Sequence, residues 1–254
     1  GPSVVCHAYS QEAADAAADR LAAMVIARED QFAEPLMKPD DAVVEAMRIA
    51  ETASKPVVIA DTQDNPGCGG TCDTTGLLEA LVRHDAQGTA MCVMWDADAA
   101  EAAHAAGEGA RITIDLGGKH GPEGVTPYHG TFTVTALTDG RFVTTGRSIG
   151  GRRINIGPTA LLTLGGVSIV VASKRMQAYD QDIFRHIGVA PEKQKILVLK
   201  STCHFRADFD PIAEKTLVAV APGAHIVDST RYPFKYLREG VRLLPNGPEF
   251  KRGT

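Results

Sequence analysis

From residue 56 onward, short apolar runs alternate with segments of helical period, and that alternation narrows the fold more than any other feature. Residues 56–61 are an apolar run closed by a carboxylate, 74–84 carry a helix pattern, 90–95 a second strand, 97–106 a second helix and 110–116 a third strand. Short runs without polar interruption suit strands buried on both faces, and strand–helix–strand order lays successive strands parallel. In the second half, 131–137, 141–145 and 167–172 are rich in β-branched residues, with Thr138-Asp139-Gly140 reading as a hairpin turn. A helix over 179–187 and a strand over 195–199 restore the α/β rhythm, and the proline-bearing tail over 232–254 reads as irregular. The expected fold class is therefore α/β: a mixed sheet with flanking helices plus a β-rich segment in the second half.

Two helices are expected ahead of this region. Residues 11–28 have Ser10 as N-cap and an apolar stripe of Ala14, Ala18, Leu21, Met24 and Val25; residues 39–53 have Pro39 in the first turn and Val43, Ala46, Met47 and Ala50 on one face. Residues 3–9 read as a strand already under way, and the chain opens without Met, so a removed tag, a piece of a longer protein, or both, is expected. The division this suggests is 1–54 as the end of a preceding domain and its helical linker, with 55–254 as the α/β domain.

Composition removes several classes of function. A formal net charge of −5 gives no electrostatic footprint for nucleic acid or an anionic membrane. No stretch of about 18 apolar residues is present to span a bilayer. Residues 1–3 offer no signal peptide, and five cysteines, odd in number and irregularly spaced, fit a reducing, cytoplasmic compartment better than a disulfide framework.

The densest chemistry follows the first strand, in ADTQDNPGCGGTCDTTGLL over 60–78. A strand, a glycine-rich loop and a helix make a generic anion site, but no lysine follows the glycines and Asp61, Asp64 and Asp73 repel phosphate, so the P-loop pattern fails. Cys68 and Cys72 have the spacing of half a zinc site without a second half, and small inert thiols are the simpler reading. Turn chemistry accounts for much of the rest. Asp64-Asn65-Pro66-Gly67 is a β-turn sequence, and Asp73 is placed to cap the following helix. Asp61 stays unexplained at the carboxyl end of a strand, where open α/β sheets put their sites.

A second cluster follows the strand over 195–199: Lys200, Ser201, His204 and Arg206 within KSTCHFR. Spacing of three between Ser201 and His204 is poor for nucleophilic attack, so donors that grip a carboxylate or oxyanion are the better functional reading. A capped helix start with a solvated Lys and Arg is the purely structural one. Gly117-Gly118-Lys119 closes the third strand in the same manner, which predicts polar tips converging on one sheet edge. His7, His84, His104, His129, His186 and His225 are isolated and need no role beyond surface or satisfied core.

Together, KPVVIADTQDNPGCGGTCDTTGLLEAL, AGEGARITIDLGGK, FVTTGRSIGGRRINIGPTALL and ILVLKSTCHFRADFDPIAEKTLVAVAPG resemble the carboxyl-terminal half of the microcystinase C (MlrC)-like metallopeptidases. The resemblance runs from about residue 1 to near 248. It implies a zinc peptidase acting on small or linearised peptides, whose zinc ligands sit in amino-terminal motifs of the ETNTF and DxHxN sort; neither occurs here. It therefore implies zinc bound outside this chain, and as partners a peptide substrate and the amino-terminal domain of the same protein, with a homo-oligomer left open. Asp64, Asn65, Asp73, Lys119, Lys200, Ser201, His204 and Arg206 match the family pattern, whereas Cys68 and Cys72 stand where small residues, typically Gly, are usual. The resulting expectation assigns His204, Lys200 and Arg206 to catalysis and Asp61, Asp64, Asn65, Asp73, Lys119 and Ser201 to the substrate. The alternatives are a non-catalytic carboxylate- or anion-binding or interaction module and an adventitious metal site built from Cys68 and Cys72 with His204 or Cys203.

Overall fold

A computed structural model describes residues 3–33 and 35–252. They fall into two compact units, one drawn from Gly1–Pro35 with Asp228–Thr254 and the other formed by Leu36–Val227.

In the first unit, α1 (Gln11–Ile26) starts where Ser10 Oγ accepts from Ala13 N at 3.3 Å. Its alanines and this cap are enough to form the helix, but no residue of α1 is buried, so the apolar stripe read from the sequence is not a core stripe. Residues 3–8 carry no regular structure, against the expected opening strand. After a short 3-10 turn at Ser229–Arg231, residues 232–252 are largely irregular, as expected, and Glu29 ties this segment to the helix end by pairing with Arg242 and accepting from Asn246 N at 2.9 Å.

The second unit holds β1 (Leu36–Met37), α2 (Pro39–Ala50), β2 (Val57–Asp61), α3 (Gly76–Arg83), β3 (Thr89–Trp95), α4 (Ala97–Ala106), β4 (Arg111–Leu116), β5 (Tyr128–Thr138), β6 (Arg141–Val143), β7 (Arg153–Asn155), β8 (Thr159–Leu164), β9 (Val167–Ala172), α5 (Asp182–Arg185), β10 (Ile196–Leu199), α6 (Arg206–Phe209) and β11 (Lys215–Ala219). Nine strands form one mixed sheet in the order β1-β11-β2-β10-β3-β9-β8-β5-β4, and β6 with β7 makes a separate ribbon. The strands from β1 through β9 in that order are all parallel, with β8, β5 and β4 added antiparallel at one side.

Three sequence expectations are corrected here. The third strand, β4, does not lie parallel beside β3; it pairs antiparallel with β5 at the end of the sheet. The turn at residues 138–140 joins β5 to β6 without making them a hairpin, since β6 pairs with β7 and β5 with β8. The helix expected over 179–187 is only the short α5 with flanking turns.

The parallel strands divide their side chains between two cores. Val57 and Ile59 of β2, with Ile196 and Val198 of β10, enter the cluster under α2, α3 and α4. Val58, Ala60, Leu197 and Leu199 enter the opposite cluster with Phe184, Phe205 and Phe209. Alternation of successive side chains across a pleated strand dictates this split, and burial on both faces is why 57–60 and 196–199 contain no polar residue. Because β2 and β10 are neighbours in register, Ala60 opposite Leu199, the polar stretches following them leave the sheet side by side. Among the described residues no helix is long and apolar enough to cross a membrane.

Candidate functional site

Lys200 is the first residue past β10 and is completely buried. Its Nζ donates to Asp61 Oδ2 at 2.9 Å, Asp64 Oδ2 at 2.7 Å and the Thr74 carbonyl at 2.9 Å, with Thr74 Oγ1 at 3.2 Å. An ammonium has three protons to give, so every one is spent inside the protein. The expected grip of Lys200 on a substrate is thus replaced by a grip on the protein's own loop.

Asp64 is the centre of that loop. Its carboxylate accepts from Thr71 Oγ1, the backbone N–H of Cys72 at 2.7 Å, the backbone N–H and hydroxyl of Thr74 at 2.9 Å each, and Lys200. Burial opposes its ionisation, but the Lys200 charge and these donors outweigh burial and hold the Asp64 pKa below its ordinary value. Asp61 behaves oppositely. It is buried, its Oδ1 has no hydrogen-bond partner, and desolvation together with the Asp64 charge pushes its pKa up despite Lys200. One cation between two carboxylates offsets at most one negative charge, and the hydrogen bonds favour the ionised form of Asp64 over that of Asp61.

The loop's glycines follow from this winding. A Cβ on Gly70 would stand 2.7 Å from Asn65 N, inside the turn it closes. Cys72 has φ +67°, a left-handed backbone shape that glycine adopts freely and other residues rarely do. Its thiol is buried and donates to the Val93 carbonyl at 3.1 Å, and burial raises its pKa strongly, so this sulfur is inert. Asn65 is buried too, donating to Thr202 Oγ1 at 2.8 Å and accepting from Gly67 N at 2.8 Å.

Asp73 does not cap α3, which starts at Gly76 after Thr75 and has no side-chain cap. Its Oδ2 instead accepts the backbone N–H of Lys119 at 3.0 Å and of His120 at 2.7 Å, while its carbonyl accepts Gly118 N at 2.6 Å. That carboxylate fastens the Gly117–His120 turn to the β2 loop. Gly118 has φ +63°, and a Cβ there would lie 2.3 Å from Thr126 backbone atoms. Lys119 Nζ pairs with Asp96 Oδ1 at 2.8 Å, and its side chain lines a hollow of about 200 Å³ with Trp95, Asp98 and His120.

On the other side of Lys200 the chain turns outward. Ser201 is buried, and its Oγ accepts from Gln177 Nε2 at 2.8 Å. The same Nε2 lies 3.1 Å from Nδ1 of the exposed His204. An amide nitrogen only donates, so Nδ1 accepts and the neutral ring carries its proton on Nε2. Arg206 is partly exposed, 4.0 Å from Asp210 and over the Phe205 ring at 5.5 Å. Gln177 went unnoticed in the sequence because it sits between β9 and α5 in a stretch with no period or motif.

Hydrogen bonds from Asp73 and Asp96 thus bring the turn after β4 to the loops after β2 and β3, yet Lys119 and His204 do not line the same hollow. The residues here do not fit a zinc ion either: Lys200 puts a positive charge where Asp61 and Asp64 would receive one, and no group of three or more His, Cys, Asp or Glu among the described residues converges on a metal-holding point. That removes the metal site imagined from Cys68, Cys72, Cys203 and His204.

Comparison with known proteins adds the family context. Residues 59–236 match the family described as MlrC C-terminus. The curated microcystinase C of Sphingomonas sp. is 28% identical over 180 residues, covering 70% of this chain and 35% of that protein. A solved structure of a candidate metallopeptidase from Mesorhizobium sp. BNC1 superposes with a TM-score of 0.72 at 27% identity, covering 89% of this chain and 44% of that one. The chain thus spans less than half the length of either relative.

Proposed function

Since the chain belongs to the MlrC C-terminus family, we propose that it is the metal-free wall of a zinc-dependent hydrolase that cleaves small or linearised peptides. Zinc and its ligands are assigned to the part of the relatives that this chain does not cover. The five free cysteines support placing the protein in the reducing cytoplasm.

The observation that carries the reading is His204, an exposed imidazole held by a buried amide at the carboxyl edge of the central parallel strands. Sites in open parallel sheets favour that edge. With Nδ1 engaged by Gln177, the Nε2–H is left as a fixed donor for a substrate carbonyl or for the oxyanion that develops on it. Arg206, two residues on, adds a partly exposed cation beside it. Lys200, Asp61, Asp64 and Ser201 serve as positioning residues, setting where the 201–206 segment leaves the sheet. Asn65, Asp73 and Lys119 fix the neighbouring rim.

In a protein carrying both halves, His204→Ala is expected to lower kcat/KM for small peptides by about 100-fold with bound zinc unchanged, as for loss of one oxyanion donor. Full activity in that variant, or loss of zinc from it, overturns the assignment.

A further inference from the structure

A hollow of about 530 Å³ opens between β7, the 175–179 segment and the turn at Pro66 and Gly67. Its charged lining consists of two arginines, Arg153 and Arg175, with no aspartate or glutamate. Among the described residues neither guanidinium has a carboxylate partner. Arg175 is held otherwise, its Cζ 4.1 Å from the centre of the Trp95 ring, which anchors the flat face and leaves the N–H edge available. Arg153 and Asn155 project from the same face of β7, two residues apart. The Asn155 Oδ1 already accepts Gly157 N at 2.9 Å, so its free group is the NH₂ donor. Ile156 and Met176 supply buried apolar lining.

We infer that this hollow is an organic-carboxylate site, taking the carboxylate of a small peptide or acylated amino acid with an apolar side chain beside it. Beside the Gln177 amide oxygen and the Tyr179 hydroxyl, the two guanidiniums and the Asn155 amide present donors on planar forks, and the guanidinium fork meets a carboxylate bidentately. The apolar lining favours an organic carboxylate over a strongly hydrated inorganic anion. Gln177 joins this hollow to His204, since it lines the first and hydrogen-bonds the second. The identification of the carboxylate as a peptide's rests on the hydrolase reading above; the existence of the site does not.

Trp95 is the only tryptophan of the chain, so its fluorescence reports engagement of Arg175 directly. Titrate the chain with N-acetyl-leucine, N-acetyl-leucinamide and inorganic phosphate. The acid is expected to bind about tenfold or more tighter than either, and Arg153→Gln and Arg175→Gln are each expected to weaken it about tenfold, one charge-assisted contact apiece. Calorimetry replaces fluorescence for the Arg175 variant, and Lys174→Gln is expected to bind as the parent does. Equal binding of acid and amide, phosphate binding as tight as the acid, acid binding that survives both substitutions, or no binding to the folded chain overturns the site. Peptide hydrolysis by a protein with both halves is scored separately: carboxylate binding without hydrolysis leaves this site standing and sinks the hydrolase reading.

Discussion

Lys200 and His204 lie four residues apart after the same strand, yet their environments are opposites. The first is fully buried with all its protons given to Asp61, Asp64 and Thr74; the second is exposed, with one ring nitrogen fixed and the other free. Both are polar residues at the carboxyl edge of a parallel sheet, the feature that marks candidate sites. What separates them is the neighbouring strand. β2 ends on Asp61 directly beside Lys200, so the lysine has carboxylates within reach and water has no access. Past Ser201 the chain leaves the sheet, and the next polar group meets solvent.

The largest expected effect on this contrast comes from removing the buried cation. Lys200→Met should destabilise the chain by about 3–5 kcal/mol in urea unfolding, because two carboxylates remain buried without their counter-charge. If that variant does not fold, adding Asp61→Asn and Asp64→Asn to it should recover part of the stability. A triple variant no better than the single one contradicts the charge argument.

Asp64 should make the same point through pH. Its folded pKa lies below the ordinary 3.8, so its ionised form contributes stability that is fully present above about pH 4 and is lost as pH falls through the folded value. Asp64→Asn should therefore be less stable by about 2–3 kcal/mol near pH 7, with the gap to the parent narrowing as the solution is acidified. A gap that widens in acid would reverse the assignment of Asp64 as the ionised partner.

A smaller effect is expected at the link between the two regions. Gln177→Ala leaves the buried Ser201 hydroxyl without its donor and should cost about 1–3 kcal/mol. A positioning role predicts a second change that packing alone does not: ¹⁵N spectra should show the Nε2–H tautomer of His204 dominant in the parent and mixed in the variant. An unaltered tautomer ratio would reduce Gln177 to a core residue.

The parallel centre of the fold was legible because Val57–Asp61, Thr89–Trp95 and Ile196–Leu199 are buried on both faces and so contain almost nothing but apolar residues. The outer strands were harder to read. Nothing in residues 111–116 signals that its partner is the β5 strand and not β3, since pairing direction depends on where the chain returns. In the loops after β2, β4 and β10, the sequence shows clustered polar residues but not where their side chains point. Asp73 fits a helix cap by spacing but serves the backbone of Lys119 and His120, a partner 46 residues away that no local pattern reveals. Gln177 and the arginine pair are likewise assembled only by folding. The positive φ of Cys72 belongs to the folded loop and no local pattern shows it.

The most direct test of the account sets the two residues side by side in urea unfolding at neutral pH. Removing His204 from an exposed position should change stability by no more than about 0.5 kcal/mol, while removing Lys200 should cost several times that. Comparable losses from the two substitutions, or a Lys200→Met chain as stable as the parent, would mean that the buried ammonium does not hold the edge from which His204 projects.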